Sequence, residues 1–363
     1  MYKLLSVLLI FAASSVAGYA VDKPSIIPVP ARLSVTEGQL VLTEASVIFY
    51  SPELGSEAGI FTSQLEQQTG KALSLVSIKA GAVPANASSF VALLKSRDKS
   101  LGVEAYQLDV RPDNAVIRSS STVGAFYGTQ TLLQTLSRNA ESGVIQSPCY
   151  SVHDEPQYKW RGVMFDPSRH FIPKADLLRL IPLLARYKFN VMHLHLTDDQ
   201  GWRVEIKKYP KLTGKASWRH YDTGETHDGY YTQDDLREIA AMAASFHIQV
   251  IPEIDAPGHS GALMMAKPEF HCFKTLDAMP LITIKQHETD GGWRPGRSLC
   301  GGKESVYQFL EDVFAELAPI FPSNYFHIGA DEVLTESWEK CQDCQERIAQ
   351  EKLKDMHGLH GYY

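Results

Sequence analysis

The sequence lacks any block of basic residues, and its formal net charge is -7 at pH 7. Phosphate binding needs clustered lysine and arginine, so this absence argues against a nucleic-acid partner. A neutral polar substrate such as a sugar fits the composition better.

Long hydrophobic runs are also missing after the first twenty residues. That first stretch has Lys3, an apolar run over residues 4–13 and small residues up to Ala20, which are the parts of a cleavable signal peptide. The apolar run is too short to span a bilayer comfortably. We therefore predict a signal peptide over residues 1–20, export to the periplasm or the medium, and no membrane span.

Cysteine is scarce, with five residues, and the pair Cys341-x-x-Cys344 has no second CxxC or histidine pair nearby. Its spacing alone suits zinc or redox chemistry. An oxidising compartment favours disulfides instead. Because Cys272 and Cys300 flank a glycine-rich stretch, a disulfide that closes this loop is the first pairing we predict, and we expect no metal and no cofactor.

The chain is long enough, and at 44% hydrophobic apolar enough, for two domains with their own cores. In its first part, strand-like runs alternate with two helical patterns. The predicted strands are residues 46–50, 73–78, 89–94, 106–110 and 115–118, and the predicted helices are residues 56–68 and 122–136. They indicate a small α+β support domain over residues 21–156.

From Trp160 onward, strands and helices alternate regularly. The predicted strands are residues 162–165, 190–196, 249–254 and 325–329, and the helical patterns are residues 174–187, 232–246, 304–321 and 337–359. This order implies a parallel sheet with helices on it. We predict an α/β fold in which residues 157–363 form about four βα units of a (β/α)8-type barrel.

Polar side chains follow each of these four strands. The stretches that carry them are FDPSRHF, HLHLTDDQGWR, EIDAPGHS and FHIGADEV. A barrel gathers such strand-end residues around its active site. In the last stretch an apolar run ends on two adjacent carboxylates, Asp331 and Glu332, which suit a glycosidase. The same pair could instead start a helix, with Asp331 as the N-cap.

These four stretches resemble the strand-end motifs of the family 20 glycoside hydrolases, the β-N-acetylhexosaminidases. The segment GAFYGTQTLLQTL resembles the end of the small domain that precedes their barrel, and one departure is Ala330, where a second glycine is common. The resemblance implies exo-acting, retaining hydrolysis of terminal non-reducing N-acetylglucosamine or N-acetylgalactosamine from β-linked oligosaccharides, chitin fragments among them, without a cofactor or a metal.

The resemblance also implies a role for each matching residue. Glu332 would protonate the glycosidic oxygen and then act as a base toward water. Asp331 would hold the nitrogen of the substrate's 2-acetamido group, whose oxygen attacks the anomeric carbon in place of a protein carboxylate. Arg169 would clamp the sugar hydroxyls, and the structural alternative for it is an ion pair with Asp166 or Asp199.

Three supporting residues complete this implied set. Asp198 and His259 match a relay behind Glu332, and Asp255 matches an acid that orients the site. His193 and His195 share one strand face, so packing and substrate contact stay open for them. Trp202 and Trp293 could stack on an outer sugar or pack inward.

Two rival interpretations remain at this stage. His193-x-His195, with Asp255 and His259, could form a metal-dependent amidohydrolase site. The chain could also be a non-catalytic sugar-binding fragment, since only four of eight βα units are visible and the first and fourth strands would be open edges. We therefore expect a fragment of a longer enzyme, or a chain completed by another chain or by self-association, and little or no turnover from this chain alone.

Overall fold

The computed structural model describes residues 23–79, 83–98, 100–217, 219–220, 226–273 and 298–363. The predicted signal peptide, Trp293 and the glycine-rich stretch lie outside these residues. The chain divides into two compact units. Unit 1 comprises the described residues up to Ser120 together with Leu132–Glu155, and unit 2 comprises Ser121–Thr131 together with Pro156–Tyr363. In the described part, the structure shows no helix that is both long enough and apolar enough to cross a membrane.

Unit 1 is built on an eight-stranded mixed sheet with the order β1-β8-β5-β6-β4-β2-β3, in which β7 pairs with β8. The strands are β1 (Arg32–Leu42), β2 (Val47–Tyr50), β3 (Ser74–Ser77), β4 (Phe90–Lys95), β5 (Tyr106–Arg111), β6 (Asn114–Ser119), β7 (Ser137–Arg138) and β8 (Ile145–Asp154). The helices are α1 (Gly55–Thr69) and α2 (Thr122–Thr135), and the division between the units falls within α2.

The predicted strands and helices of this unit are present, and the structure adds three strands that the sequence pattern does not predict, the short β7 and the longer β1 and β8. Most of β1 is solvent-exposed, so it carries little apolar signal. Pro148 interrupts the pattern of β8, and proline normally argues against a central strand. These two strands pair along most of their length and extend the sheet beyond the predicted domain core.

Unit 2 contains a parallel sheet with the order β13-β10-β9. The strands of this sheet are β9 (Gly162–Phe165), β10 (Val191–His195) and β13 (Gln249–Glu253), and a separate antiparallel pair is formed by β11 (Arg219–His220) and β12 (Thr226–His227). Its helices are α3 (Lys174–Arg186), α4 (Lys211–Ala216), α5 (Gln233–Ser245), α6 (Gly261–Ala266), α7 (Glu304–Leu317), α8 (Glu336–Glu339), α9 (Gln342–Gln350) and α10 (Met356–Tyr362).

The helices next to the parallel sheet form as their apolar spacing predicts. Leu177 and Ile181 of α3 are buried, as are Leu236 and Ile239 of α5. A capping box at Thr232 fixes the start of α5, because the Thr232 side chain and the Asp235 side chain satisfy each other's backbone N–H groups. These helices support the strands whose ends carry the candidate site.

The predicted fourth strand, residues 325–329, is reduced to a single parallel bridge between His327 and Glu253. The Ile254 N–H donates to the His327 carbonyl at 3.1 Å, and the His327 N–H donates to the Pro252 carbonyl at 3.0 Å. Tyr325 and Ile328 remain exposed, so little burial stabilises a longer strand here. The strand prediction was therefore wrong in length but right in its place beside β13.

The predicted helical segment 337–359 consists of three separate helices, α8, α9 and α10. Cys341 adopts an extended backbone before α9, with φ of -89° and ψ of 121°. After α9, Lys352 has a left-handed φ of 55°, which ends the right-handed helical path. The helix-like composition of the segment gives no sign of either break.

Candidate active site

The loops that follow β9, β10, β13 and the His327 bridge supply the residues of one candidate site. Parallel neighbouring strands place their carboxyl ends at the same edge of a sheet, so these loops lie together. The structure brings the six predicted site residues into one set of ion pairs, hydrogen bonds and close charges: Arg169, Asp198, Asp255, His259, Asp331 and Glu332.

The acid pair, Asp331 and Glu332, lies at the open side of this site. The two side chains are 67% and 55% exposed. The pair does not begin a helix, because the next helix, α8, starts only at Glu336. Both acids instead point to one imidazole. His259 Nε2 lies 3.5 Å from Glu332 Oε2 and 3.7 Å from Asp331 Oδ2.

The backbone before the acid pair is held against Asp255. Gly329 has a φ of 65°, and a Cβ atom there would collide with the Asp255 carboxylate, so only glycine fits. The next residue, Ala330, donates its N–H to Asp255 Oδ1 at 3.2 Å and has a φ of 72°. This left-handed conformation gives a physical reason why glycine would suit position 330.

Asp198 is the buried anion behind His259. Its Oδ1 lies 3.4 Å from His259 Nδ1, and its Oδ2 lies 2.8 Å from His195 Nε2 and 2.6 Å from Arg169 Nη2. Burial raises the pKa of Asp198, but the hydrogen bonds from His195 and His259 and the charge of Arg169 outweigh it and hold the pKa well below its usual range. Asp198 is therefore a permanent negative charge.

The negative charge of Asp198 raises the pKa of the neighbouring His259 imidazole. Its hydrogen bond to Asp198 raises the pKa of the imidazole to about 9, against the opposing effect of burial, and the charge of Asp255 adds to the increase. At neutral pH a cationic imidazole thus faces Asp331 and Glu332. Its Nε2 atom has no hydrogen-bond partner among the described residues, so it is poised to donate to either carboxylate.

Glu253 forms a second buried anion, for which the sequence pattern predicts no role in the site. Its Oε2 atom lies 2.7 Å from both His193 Nε2 and His195 Nδ1, and His327 Nδ1 lies 3.0 Å from its Oε1. Burial raises the pKa of Glu253, but the hydrogen bonds from His193 and His195 outweigh it and lower the pKa overall. The result is a polar chain from His193 through Glu253, His195 and Asp198 to His259.

Both histidines of β10 belong to this polar chain of hydrogen-bonded side chains. They share one face of β10, as their spacing predicts, and His195 uses both ring nitrogens on Glu253 and Asp198. Burial lowers the pKa of His195, but these two carboxylates overcome that effect and raise it to about 10. Among the described residues, no group of potential metal ligands joins His193 to Asp255 and His259, as the amidohydrolase alternative would require.

Arg169 is anchored on one side and open on the other. Its guanidinium contacts Asp198, and Nη1 pairs with Asp166 at 2.9 Å, while 41% of the side chain remains exposed. The predicted ion pair with Asp166 is therefore present, and Asp198 takes the place that had been considered for Asp199. A guanidinium fixed in this way is preorganised to bind hydroxyl oxygens.

Asp255 is a buried acid whose pKa is raised above the ordinary value for aspartate. Burial raises its pKa to about 7, the neighbouring charges of Asp331 and Glu253 add to this, and His259 and the Ala330 N–H oppose it. The carboxyl is 3% exposed. It holds the backbone at Ala330 and lies too deep to be one of the groups at the open side.

Two neighbouring residues have structural roles. The Asp199 carboxylate accepts a hydrogen bond from the Gly261 N–H at 2.8 Å, at the start of α6. Trp202 is buried, donates its ring N–H to the Val204 carbonyl at 2.7 Å and packs against Phe309. The inward-packing alternative for Trp202 is therefore correct, while Trp293 lies outside the described residues.

Comparison with known proteins gives matches over nearly all of the chain after residue 22. Residues 158–363 match the family description "Glycosyl hydrolase family 20, catalytic domain", and residues 23–155 match "Glycosyl hydrolase family 20, domain 2". The chain is 41% identical over 296 residues to a beta-hexosaminidase of Akkermansia muciniphila, covering 81% of this chain and 55% of that protein. It is 36% identical over 347 residues to a beta-hexosaminidase of Porphyromonas gingivalis, covering 93% and 43%.

Solved structures give the same result. A GH20 exo-β-N-acetylglucosaminidase from Vibrio harveyi, in complex with N-acetylglucosamine, superposes with a TM-score of 0.80 at 31% identity, covering 93% of this chain and 51% of that one. A β-N-acetylhexosaminidase from Bacteroides fragilis gives a TM-score of 0.76 at 31% identity, covering 93% and 62%. The chain spans about half the length of the curated relatives it matches.

Proposed function

Because the chain belongs to glycosyl hydrolase family 20, we propose that the protein hydrolyses terminal, non-reducing, β-linked N-acetylglucosamine or N-acetylgalactosamine from oligosaccharides. Family membership also confirms the predicted fold class, a partial (β/α)8-type barrel preceded by a small α+β domain. The amidohydrolase alternative is not favoured by any of these matches.

The observation that carries the proposal is the acid pair set against His259. Glu332 donates its proton to the glycosidic oxygen as the bond from that oxygen to the anomeric carbon breaks. The oxygen of the substrate's 2-acetamido group forms a bond to the same carbon, which gives an oxazolinium ion. Glu332 then takes a proton from the water that opens this ring, and two inversions leave the product with its original configuration.

Asp331 and Arg169 serve the substrate rather than the proton transfer. Asp331, adjacent to Glu332, accepts the acetamide N–H and stabilises positive charge on the oxazolinium ion through its own negative charge. The exposed side of Arg169 binds sugar hydroxyls. His259, held as a cation by Asp198, balances the charge of Asp331 and lies 3.5 Å from Glu332, close enough to supply the proton that Glu332 donates.

The acid role is tested with Glu332→Gln, with Glu311→Gln, an exposed acid on α7, as the matched control. We expect Glu332→Gln to lower kcat on an N-acetyl-β-glucosaminide with a poor leaving group by about 10²–10⁴-fold, the usual contribution of a general acid. The control should match the parent chain. Equal rates for the two variants would contradict the assignment of Glu332.

The role of the acetamide is tested by changing the substrate. A 4-nitrophenyl β-glucoside, which has a 2-hydroxyl in place of the acetamide, should not be hydrolysed, and activity on the N-acetyl substrate should survive EDTA. A thiazoline analogue of the oxazolinium ion should bind the parent chain more tightly than Asp331→Ala. Binding of the analogue without turnover would favour the alternative of a non-catalytic sugar-binding fragment.

We also propose that residues 1–20 are removed during export and that chitin fragments are among the substrates. The support is the tripartite pattern of the first twenty residues and the preference of the proposed site for N-acetylhexosamine. Amino-terminal sequencing of the protein from its native cells tests the first point, and product analysis on chitin oligosaccharides tests the second. Sedimentation of the purified chain tests the predicted self-association.

A further inference from the structure

Four of the five cysteines converge in unit 2, away from any role in the proposed hydrolysis. The closest sulfur pairs are Cys300 with Cys344 at 3.6 Å, Cys300 with Cys341 at 3.7 Å and Cys272 with Cys344 at 3.8 Å. All four sulfur atoms lie within 4.8 Å of one another. The fifth cysteine, Cys149, is buried in unit 1.

These separations match a tetrahedral metal site better than disulfides. Zinc bonds to thiolate sulfur at about 2.3 Å, so the sulfur atoms of a regular tetrahedron lie about 3.8 Å apart. A disulfide would bring two sulfur atoms to about 2.05 Å. All five cysteines, each within the described residues, are unbridged thiols. We propose that Cys272, Cys300, Cys341 and Cys344 bind one structural zinc ion.

The backbone around the cluster is shaped to bring its parts together. Gly302 leaves no room for a side chain, because a Cβ atom there would collide with the peptide between Asp343 and Cys344. This close approach places Cys300 against the Cys341-x-x-Cys344 pair. Zinc sites commonly use such a two-residue spacing for one pair of ligands.

The surroundings suit a negatively charged thiolate cluster. Cys341 is the N-cap of α9 and Cys344 lies in its first turn, where the free backbone N–H groups and the helix dipole favour negative charge. The charge matters because four thiolates would repel one another without a cation between them. Zinc would neutralise two of the four charges, and each bound thiol would release its proton.

The cluster is closed, as expected for a structural rather than a catalytic metal. Cys300, Cys341 and Cys344 are buried, and Trp338 and Leu359 pack against them. A tetrahedron filled by four sulfur ligands leaves no position for water or substrate. The ion would stabilise the fold without taking part in hydrolysis.

The proposed ion would stabilise the loops that carry the acid pair and His259. Next to Cys300, the Leu299 N–H donates to the Pro257 carbonyl at 2.8 Å, two residues before His259. The Leu299 carbonyl accepts from the ring N–H of Trp338 at 2.8 Å. On the other side, the His360 side chain contacts the Ala330 carbonyl at 3.0 Å, just before Asp331.

The inference differs from the sequence-based expectation of no metal and a Cys272–Cys300 disulfide. That pairing stays a prediction, and it is the natural competitor of the zinc site. Sequence spacing could not show the cluster, because Cys272 and Cys300 come from two separate segments that only the fold brings to Cys341-x-x-Cys344.

The test is the metal content of the full chain, purified without chelators and measured by inductively coupled plasma mass spectrometry. We expect about one zinc ion per chain in the parent protein and in Cys149→Ser, whose cysteine lies outside the cluster. Cys344→Ser should lose most of that zinc. The same protein with cobalt(II) should show the thiolate-to-cobalt charge-transfer absorption of a four-sulfur site.

A second measurement covers the case in which Cys344→Ser does not fold. Removing zinc from the parent protein with a strong chelator should lower its thermal midpoint and expose four additional thiols to alkylation, and added zinc should reverse both effects. Two disulfides in the purified protein, or four reduced thiols that do not bind added zinc, would overturn the proposal.

Discussion

The open acid pair and the buried polar chain behind it are built in opposite ways. Asp331 and Glu332 expose 67% and 55% of their side chains, whereas Asp198 and Glu253 expose 1% and 5%. Each buried carboxylate contacts three cationic or imidazole groups, while the acid pair shares His259. The groups that would touch substrate are accessible, and the groups that orient them are fixed.

The difference has an energetic meaning. A buried carboxylate is tolerated only when donors compensate for its lost hydration, so removal of one partner leaves the others uncompensated. An exposed carboxylate keeps water as its partner and contributes little to stability. Variants of the two regions should therefore separate stability from catalysis.

The largest expected effect on stability comes from Asp198→Asn. The amide cannot balance the charges of Arg169, His195 and His259, so we expect the free energy of unfolding to fall by about 3–5 kcal/mol. Glu332→Gln, the equivalent substitution in the acid pair, should change it by less than about 0.5 kcal/mol. Urea denaturation of both variants at pH 7 measures the contrast, and equal losses would remove the distinction between the regions.

A smaller, pH-dependent effect is expected for Asp255→Asn. The folded-state pKa of Asp255 is raised to about 7, so its proton is held more tightly in the folded protein than in the unfolded chain. Stability is therefore lost between about pH 4 and pH 7, where the carboxyl ionises in the unfolded chain but stays protonated in the folded protein. The asparagine variant avoids this loss.

Relative to the parent chain, Asp255→Asn should therefore gain stability between about pH 4 and pH 7, by on the order of 2 kcal/mol. Denaturation curves at several pH values test this, with the exposed Asp228→Asn as the control. A stability difference that stays constant with pH would show that Asp255 is not a buried, reluctantly ionised acid.

The smallest expected effect is at Ala330, next to the acid pair. The left-handed backbone at Ala330 destabilises the folded protein by about 1 kcal/mol. Glycine would remove this strain, but the larger conformational entropy that glycine has in the unfolded chain offsets part of the gain in stability. We expect Ala330→Gly to stabilise the protein by about 0.5 kcal/mol. The same substitution at Ala241, an exposed position in α5, should destabilise it by about 1 kcal/mol. A loss of stability in both variants would argue against the strained backbone at Ala330.

The sequence was sufficient to locate the strand-end residues because local patterns place them. Arg169, Asp198, Asp255 and Glu332 each follow an apolar strand, and parallel strands bring such residues to one edge. The length of the fourth strand could not be obtained in this way, since it depends on how much of Tyr325 is buried, which is a property of the tertiary structure.

The buried polar chain behind the acid pair is a second feature that local sequence patterns do not predict. Glu253 lies inside β13 and begins the polar stretch EIDAPGHS, but the sequence pattern alone gives it no role in the site. Its role follows from the register, which pairs Glu253 with His195 on β10. The strand alternation that correctly placed His193 and His195 on one face was the available signal, because two same-facing histidines need an anion or a metal nearby.

The most direct test of the account is a titration of the His259 imidazole by NMR, with the resonance assigned by its loss in His259→Gln. In this site Asp198 keeps His259 cationic against the acid pair. We therefore predict a pKa of about 9 for His259 in the parent protein and a much lower value in Asp198→Asn, because the hydrogen bond to Asp198 is the main cause of the increase. An imidazole in the parent protein that titrates near the ordinary histidine value of about 6.5 would contradict it.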